Sequence, residues 1–167
     1  MQYGVGMYKY FSGNGLQSKT NATLEAQRGN QGLSLGVLFG HEGITGYSAL
    51  FKQGFTIDLA DFEPYVFISA AYSQGGSLKH SIANILASSP DNALYGTIDQ
   101  YKVFETFAGF GISKNLRHSW YLDLNIGAGH YRTLNASELG NRPDNFLIRR
   151  PDHEFVLMSR LGINYKF

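Results

Sequence analysis

The last fifteen residues of the chain alternate apolar and polar side chains and finish on an aromatic residue. Six apolar side chains share one face of this segment: Phe155, Leu157, Leu161, Ile163, Tyr165 and Phe167. The other face carries Glu154, Arg160, Gly162, Asn164 and Lys166. A period of two places successive side chains on opposite faces of a strand. The segment is therefore predicted to be a β-strand with one apolar and one polar face.

The same alternation recurs in seven earlier segments, so eight strands are predicted. They cover residues 3–11, 16–28, 33–41, 44–53, 62–73 and 100–113, and a segment that begins at Trp120. The turn sequence Ser12-Gly13-Asn14-Gly15 separates the first two. The second segment has a face of Gln17, Lys19, Asn21, Glu25 and Gln27. That face is too polar for an ordinary protein core, but it suits the lumen of a barrel.

Composition supports a single β-rich domain and excludes several classes of protein. The 167 residues fit one domain, and charged residues make up only 16%, below the usual quarter. Aromatic residues reach 14%, and 20 glycines are present, as expected of a β-barrel with aromatic girdles. A net charge of +1 argues against a nucleic-acid-binding protein. Without cysteine the chain has neither disulfides nor thiolate metal sites.

The sequence contains no run of eighteen apolar residues, so no transmembrane helix is predicted. Strands of a membrane barrel carry their apolar residues only at alternate positions, so this criterion does not apply to them. No signal peptide begins the chain, and we interpret Met1 as the start of a mature-length protein.

A strand that closes on a C-terminal Phe167 resembles the closing strand of bacterial outer-membrane β-barrels. With eight alternating segments, the chain resembles the OmpA and OmpX type in architecture. The resemblance implies one domain over residues 1–167, an all-β, eight-stranded, antiparallel, transmembrane up-and-down barrel integral to the bacterial outer membrane. A soluble lipocalin-like barrel is the alternative fold, and its inward face would be apolar.

The connections between the predicted strands provide a second test of this architecture. Outer-membrane barrels have short periplasmic turns and longer outer loops. The two long gaps, residues 74–99 and 132–152, follow strands five and seven, on the outer side if both termini are periplasmic. Within the first gap, the apolar residues of 77–87 recur at helical spacing after Ser77, a candidate N-cap. This pattern predicts a short amphipathic helix, and the alternative is a long loop held by a hydrophobic staple.

Several charged residues on the polar faces are predicted to lie inside the barrel. An eight-stranded barrel is nearly filled by side chains, so these charges must pair with one another or with trapped water. Asp123 and Arg160, on adjacent strands, are the best-placed pair. The set favours a salt-bridged plug over a narrow polar path for small solutes, and its members are Lys19, Glu25, Glu63, Glu105, Asp123 and Arg160.

His130 continues the outward series that begins at Trp120. Ten residues of strand span about 33 Å, which when tilted matches an apolar band of about 25 Å. Trp120 and His130 are therefore expected at the two membrane interfaces. His130-Tyr131 resembles the lipid A deacylase family of outer-membrane barrels, in which a His, a Ser and a last-strand Glu act on lipid A.

The resemblance to the deacylases implies that His130, Ser137 and Glu154 form a catalytic set. The chemistry requires a hydroxyl activated by an imidazole that a carboxylate orients. The family has its Ser two residues after the His, where this chain has Arg132. The alternation of the last strand also places Glu154 on the inward face.

Basic residues around the last predicted loop suggest binding instead of catalysis. Guanidinium groups make bidentate contacts with phosphates, which are abundant on lipopolysaccharide. A solvated loop of mixed charge is the alternative, because Glu138, Asp144, Asp152 and Glu154 lie in the same region. The candidate lipopolysaccharide-binding residues are Arg132, Arg142, Arg149, Arg150 and His153, beside His130.

Three functions follow from these patterns. The first is a non-enzymatic surface protein that acts through its outer loops in adhesion, in binding a protein, glycan or lipopolysaccharide, or in stabilising the envelope. The second is a lipid A-modifying hydrolase, and the third is a narrow pore. Outer-membrane lipids are the expected partners. No cofactor and no metal are predicted, since the five histidines show no metal-ligand spacing.

Overall fold

A computed structural model describes residues 1–12, 17–40, 43–57, 61–74, 102–134 and 153–167. These residues form eight β-strands. In chain order the strands are β1 (Gln2–Ser12), β2 (Gln17–Arg28), β3 (Gln31–Gly40), β4 (Gly43–Gly54), β5 (Phe62–Gln74), β6 (Lys102–Arg117), β7 (Trp120–Thr133) and β8 (His153–Lys166).

The strands close into one antiparallel barrel in the order of the sequence. Each strand pairs with its neighbour in the chain, and β1 completes the ring by pairing with β8, with Gly4 opposite Lys166. The backbones of Tyr3 and Phe167 exchange two hydrogen bonds of 3.2 and 2.8 Å, so pairing continues to the C-terminus. The predicted eight-stranded antiparallel barrel is confirmed.

The chain termini and the strand connections distinguish the two ends of the barrel. Both chain termini and the connections after β2, β4 and β6 lie at one end, here called the terminal end. The connections after β1, β3, β5 and β7 lie at the other, here called the loop end. Residues 75–101 and 135–152 join strands at the loop end, and the predicted helix over residues 77–87 lies outside the described residues.

Alternation along each strand separates an interior face from an outer face. In β8, Arg160 is 4% exposed, whereas Phe155 on the other face is 66% exposed. The same division holds in β1, where Tyr8 and Tyr10 are buried while Val5 and Met7 are exposed. The outer face is therefore apolar, whereas the interior holds the buried charged residues together with aromatic and aliphatic side chains, an arrangement unlike that of a water-soluble protein.

Tight turns at the terminal end place two residues at positive φ, Gly29 and His118, both at 56°.

Strand β6 runs to Arg117, beyond the predicted end at residue 113, because Lys114 and Asn115 still pair with Leu122 and Tyr121. Polar residues are tolerated at this end, where the apolar band stops, so sequence alternation fades before the strand does. No helix in the described ranges is long and apolar enough to cross a membrane.

Candidate functional site

Asp123 is the centre of a polar network in the terminal half of the interior. Its carboxylate accepts hydrogen bonds from the hydroxyls of Tyr8, at 3.2 Å, and of Tyr65. The side-chain amide of Asn164 also donates to it, at 3.3 Å. Asp123 is only 2% exposed. A buried carboxylate is costly unless hydrogen-bonded, and these three donors provide that compensation.

Tyr8 links Asp123 to Arg160. The guanidinium carbon of Arg160 lies 3.5 Å from the centre of the Tyr8 ring, a cation–π arrangement. In the β7–β8 ladder Asp123 is opposite Gly162, whereas Arg160 is opposite Asn125. Both residues are buried inside as predicted, but the described strands show no direct ion pair between them. The predicted pairing was wrong because alternation gives the face of a residue but not its ladder partner.

Glycines on the interior face make room for the tyrosine rings. A Cβ at Gly162 would overlap the ring of Tyr8, and one at Gly111 would overlap the ring of Tyr65. Each tyrosine ring lies over a glycine that is its ladder partner on the adjacent strand. The network therefore depends on small residues that sequence patterning treats only as gaps in the alternation.

Two ion pairs also lie inside the barrel. Lys52 contacts Glu25, and both side chains are buried. Lys19 lies 3.6 Å from Glu105 and donates to Ser73 Oγ at 2.7 Å. Lys52 was absent from the predicted charge set, although its position two residues after Leu50, with the outward Phe51 between them, could have placed it inside.

Glu63 lies at the mouth of the terminal end, and not within the filled interior. Its carboxylate is 3.7 Å from the ammonium of Lys166, yet its side chain remains 54% exposed. A cavity of about 190 Å³ opens beside it, lined also by Lys52, Tyr65 and Ser113. The prediction of Glu63 as a lumen charge is corrected to a rim position, because it is only the second residue of β5.

The loop half of the interior is mainly apolar. Phe107 packs against Tyr10 with ring centres 6.4 Å apart in an edge-to-face arrangement. The expectation of a polar lumen holds for the terminal half, whereas in the loop half the buried polar side chains of Lys19, Ser73 and Glu105 lie beside an apolar cluster. The buried cluster comprises Tyr10, Leu50, Tyr65, Phe67, Val103, Phe107, Tyr131, Val156 and Met158.

On the outer face, His130 is exposed and lies against Phe155, with ring centres 6.1 Å apart. Its ladder partner on β6 is Thr106, which is also exposed. Glu154 is instead the ladder partner of the buried Tyr131, and Ser137 lies outside the described residues. The side chain directly opposite His130 on β6 is therefore that of Thr106, which carries a hydroxyl. The sequence did not reveal this pairing, because Thr106 belongs to another strand.

The predicted basic cluster is only partly described. Arg132 is exposed near the loop end of β7 and is the ladder partner of His153. Arg142, Arg149 and Arg150 lie outside the described residues. No group of three or more His, Cys, Asp or Glu side chains in the described part of the chain could hold a metal ion.

A closed eight-stranded barrel with apolar side chains outside and a filled polar and apolar interior defines the small outer-membrane type of β-barrel fold. The structure is similar to the crystal structure of the N-terminal β-barrel domain of Pseudomonas aeruginosa OprF, with a TM-score of 0.58. The match covers 99% of this chain and 97% of that one, at 10% sequence identity. No protein-family model and no curated protein matches the sequence.

Proposed function

We propose that this chain is an integral protein of the bacterial outer membrane that acts at the cell surface through the segments at its loop end. Those segments would mediate adhesion, bind a protein or glycan partner or lipopolysaccharide, or stabilise the envelope. The barrel would serve as their rigid anchor.

The observation that carries this proposal is the inverted distribution of side chains. Leu24, Phe110 and Leu157 are each more than two-thirds exposed, whereas Glu105 is 1% exposed. Leaving one large apolar side chain in water forgoes about 1.5–3 kcal/mol of burial free energy. A whole belt of such residues therefore requires a hydrocarbon environment, and lipid acyl chains provide it.

Aromatic side chains border this belt at both ends. At the terminal end, Trp120 and Tyr165 have ring centres 5.1 Å apart, and Phe167 stacks on Tyr165 at 6.4 Å. At the loop end, Tyr72 is in register with Tyr47 on one side and Phe104 on the other. Aromatic girdles of this kind mark the two interfaces of a membrane barrel.

The filled interior favours an anchor over a pore. Phe67, Phe107 and Met158 are each at most 4% exposed in the loop half of the lumen. An apolar cluster across a channel excludes water and ions. Function is then carried by the connections at the loop end, in keeping with the general role of loops on rigid scaffolds.

An epitope-insertion experiment tests the orientation on which the proposal depends. One variant carries a short epitope within residues 75–101, and the matched control carries the same epitope between Gly29 and Asn30 at the terminal end. We expect antibody to label intact cells only for the first variant, and both variants after permeabilisation. Labelling of the control in intact cells, or recovery of the wild-type protein in the detergent-free soluble fraction, would refute the proposal.

A further inference from the structure

An apolar groove of about 570 Å³ crosses the outer face of β4 to β7. It is an open depression of the surface and not an enclosed cavity. Four outward alanines form its floor, Ala49, Ala70, Ala108 and Ala128, with Thr106 and His130 as the polar side chains at one end. We call this feature the alanine groove.

Strand register explains why the groove is continuous. One ladder row runs Ala49, Ala70, Thr106 and His130 across four strands. The next row places Ala108 directly opposite Ala128. Side chains opposite each other on one face have Cβ atoms about 4.5–5.5 Å apart, so small residues in adjacent rows leave a channel.

The groove has a polar end and an apolar end. Ala49 lies near the middle of β4, whereas His130 lies three residues from the loop-end terminus of β7. Because barrel strands tilt by about 35–45°, a row of ladder partners climbs along the barrel axis. Thr106 and His130 therefore mark the end nearer the loop-end girdle, and the opposite end descends into the apolar belt.

Among the described residues of the outer face, the charged side chain that follows the polar end of the groove is basic. Arg132, two residues beyond His130 on the same face, is exposed. The strand acids whose side chains are described, Glu25, Glu63, Glu105 and Asp123, all alternate onto the lumen side. The described outer face thus offers an anion a basic side chain with no competing carboxylate. The described outer face of a second copy would bring the same basic side chain and no strand carboxylate to meet it.

We propose that the alanine groove binds an acyl chain of an anionic membrane lipid. The chain lies over the alanines, the Thr106 hydroxyl donates to an ester carbonyl, and Arg132 and His130 contact the phosphate. Guanidinium–phosphate contacts are charge-assisted and directional, which favours an anionic over a zwitterionic headgroup. This inference rests on the proposed membrane location and adds a defined lipid site to it.

The test uses the full chain refolded into vesicles of dipalmitoylphosphatidylcholine mixed with dipalmitoylphosphatidylglycerol, then transferred to detergent for native mass spectrometry. We expect wild type to retain a phosphatidylglycerol adduct. Ala108→Phe fills the groove and is expected to lose it, whereas Ala22→Phe, on the outer face of β2, keeps it. Arg132→Gln is expected to lower the preference for phosphatidylglycerol about tenfold, the loss of one charge-assisted contact.

Heat-modifiable migration on a gel provides the separate readout for the barrel itself. A variant that loses the lipid but keeps the folded mobility supports the proposal. Equal adducts in Ala108→Phe and Ala22→Phe, or no adduct in a wild type that is folded in vesicles, would overturn the groove while leaving the membrane location intact. A wild type that folds only without lipid would instead overturn the proposed function.

Discussion

The two halves of the barrel interior are built on different physical principles. In the terminal half, Asp123, Tyr8, Tyr65 and Asn164 hold one another by directional hydrogen bonds. In the loop half, Phe107 and its neighbours form an apolar cluster, and Tyr10 joins that cluster to the Lys19–Glu105 pair by donating a hydrogen bond of 3.1 Å to Glu105. Tyr65 belongs to both, since its ring lies in the apolar cluster and its hydroxyl contacts Asp123.

The contrast shows that a small barrel can fill one half of its interior with a polar network and the other half with apolar side chains. Hydrogen bonds within a buried polar network offset the cost of burying its members, and such a network tolerates water at an open mouth such as the one beside Glu63. Apolar side chains pack closely and leave no room for water. The loop half therefore seals the interior, and the terminal half fixes the relative positions of the strands.

Phe107→Ala should produce the largest effect, because it removes a ring from the sealed half. Truncating a buried Phe costs about 3–5 kcal/mol of the free energy of unfolding. Urea unfolding in vesicles, followed by the fluorescence of Trp120, the single tryptophan, measures this loss. Phe110→Ala is the matched control on the same strand, since Phe110 faces outward and lipid can fill the space.

The same substitution should open the lumen. We expect wild type to show no ion conductance in planar bilayers and Phe107→Ala to show small steps, because the seal depends on this ring. Steady conductance of the wild type would show that the apolar cluster does not close the barrel.

Asp123→Ala should cause the second-largest loss in the free energy of unfolding. The loss is smaller than for Phe107→Ala because Tyr8 and Asn164 keep their hydrogen bond to each other after the carboxylate is removed. Orphaned buried groups cost about 1–3 kcal/mol each, so we expect a loss of about 3 kcal/mol. Asp123→Asn, which keeps an acceptor, should lose less by the same measurement. Equal losses for the two variants would mean that the network is not held by its hydrogen bonds.

Gly162→Ala should destabilise by about 1–3 kcal/mol, the usual cost of overpacking. The added methyl group meets the ring of Tyr8, which the network holds in place. Ser159→Ala, outward on the same strand, should be nearly neutral in unfolding experiments. A neutral Gly162→Ala would show that Tyr8 moves freely, contrary to a rigid terminal half.

Glu63→Gln should have the smallest effect, within about 1 kcal/mol, since partly exposed ion pairs contribute little. Its side chain is half-exposed at the mouth, so solvent compensates for its loss. A loss as large as that of Asp123→Ala would place Glu63 inside the network after all.

The sequence predicted which face of a strand a residue lies on, but it did not predict which residues of other strands it contacts. Alternation identified the faces of Lys19, Glu105 and Arg160, because face depends only on a period of two. It missed Tyr8 and Tyr65 as partners of Asp123, because each contact passes over an intervening strand and joins residues that are 115 and 58 positions apart in sequence, respectively. It also missed Thr106, whose proximity to His130 depends on the register between β6 and β7.

By itself, the sequence determined that this chain forms eight strands with opposed apolar and polar faces, since local alternation specifies strand and face without any partner. Only the tertiary structure decided which residues meet inside the barrel, because strand pairing and the inward reach of long side chains set those contacts. The same register produced the alanine groove, which no single strand of the sequence reveals.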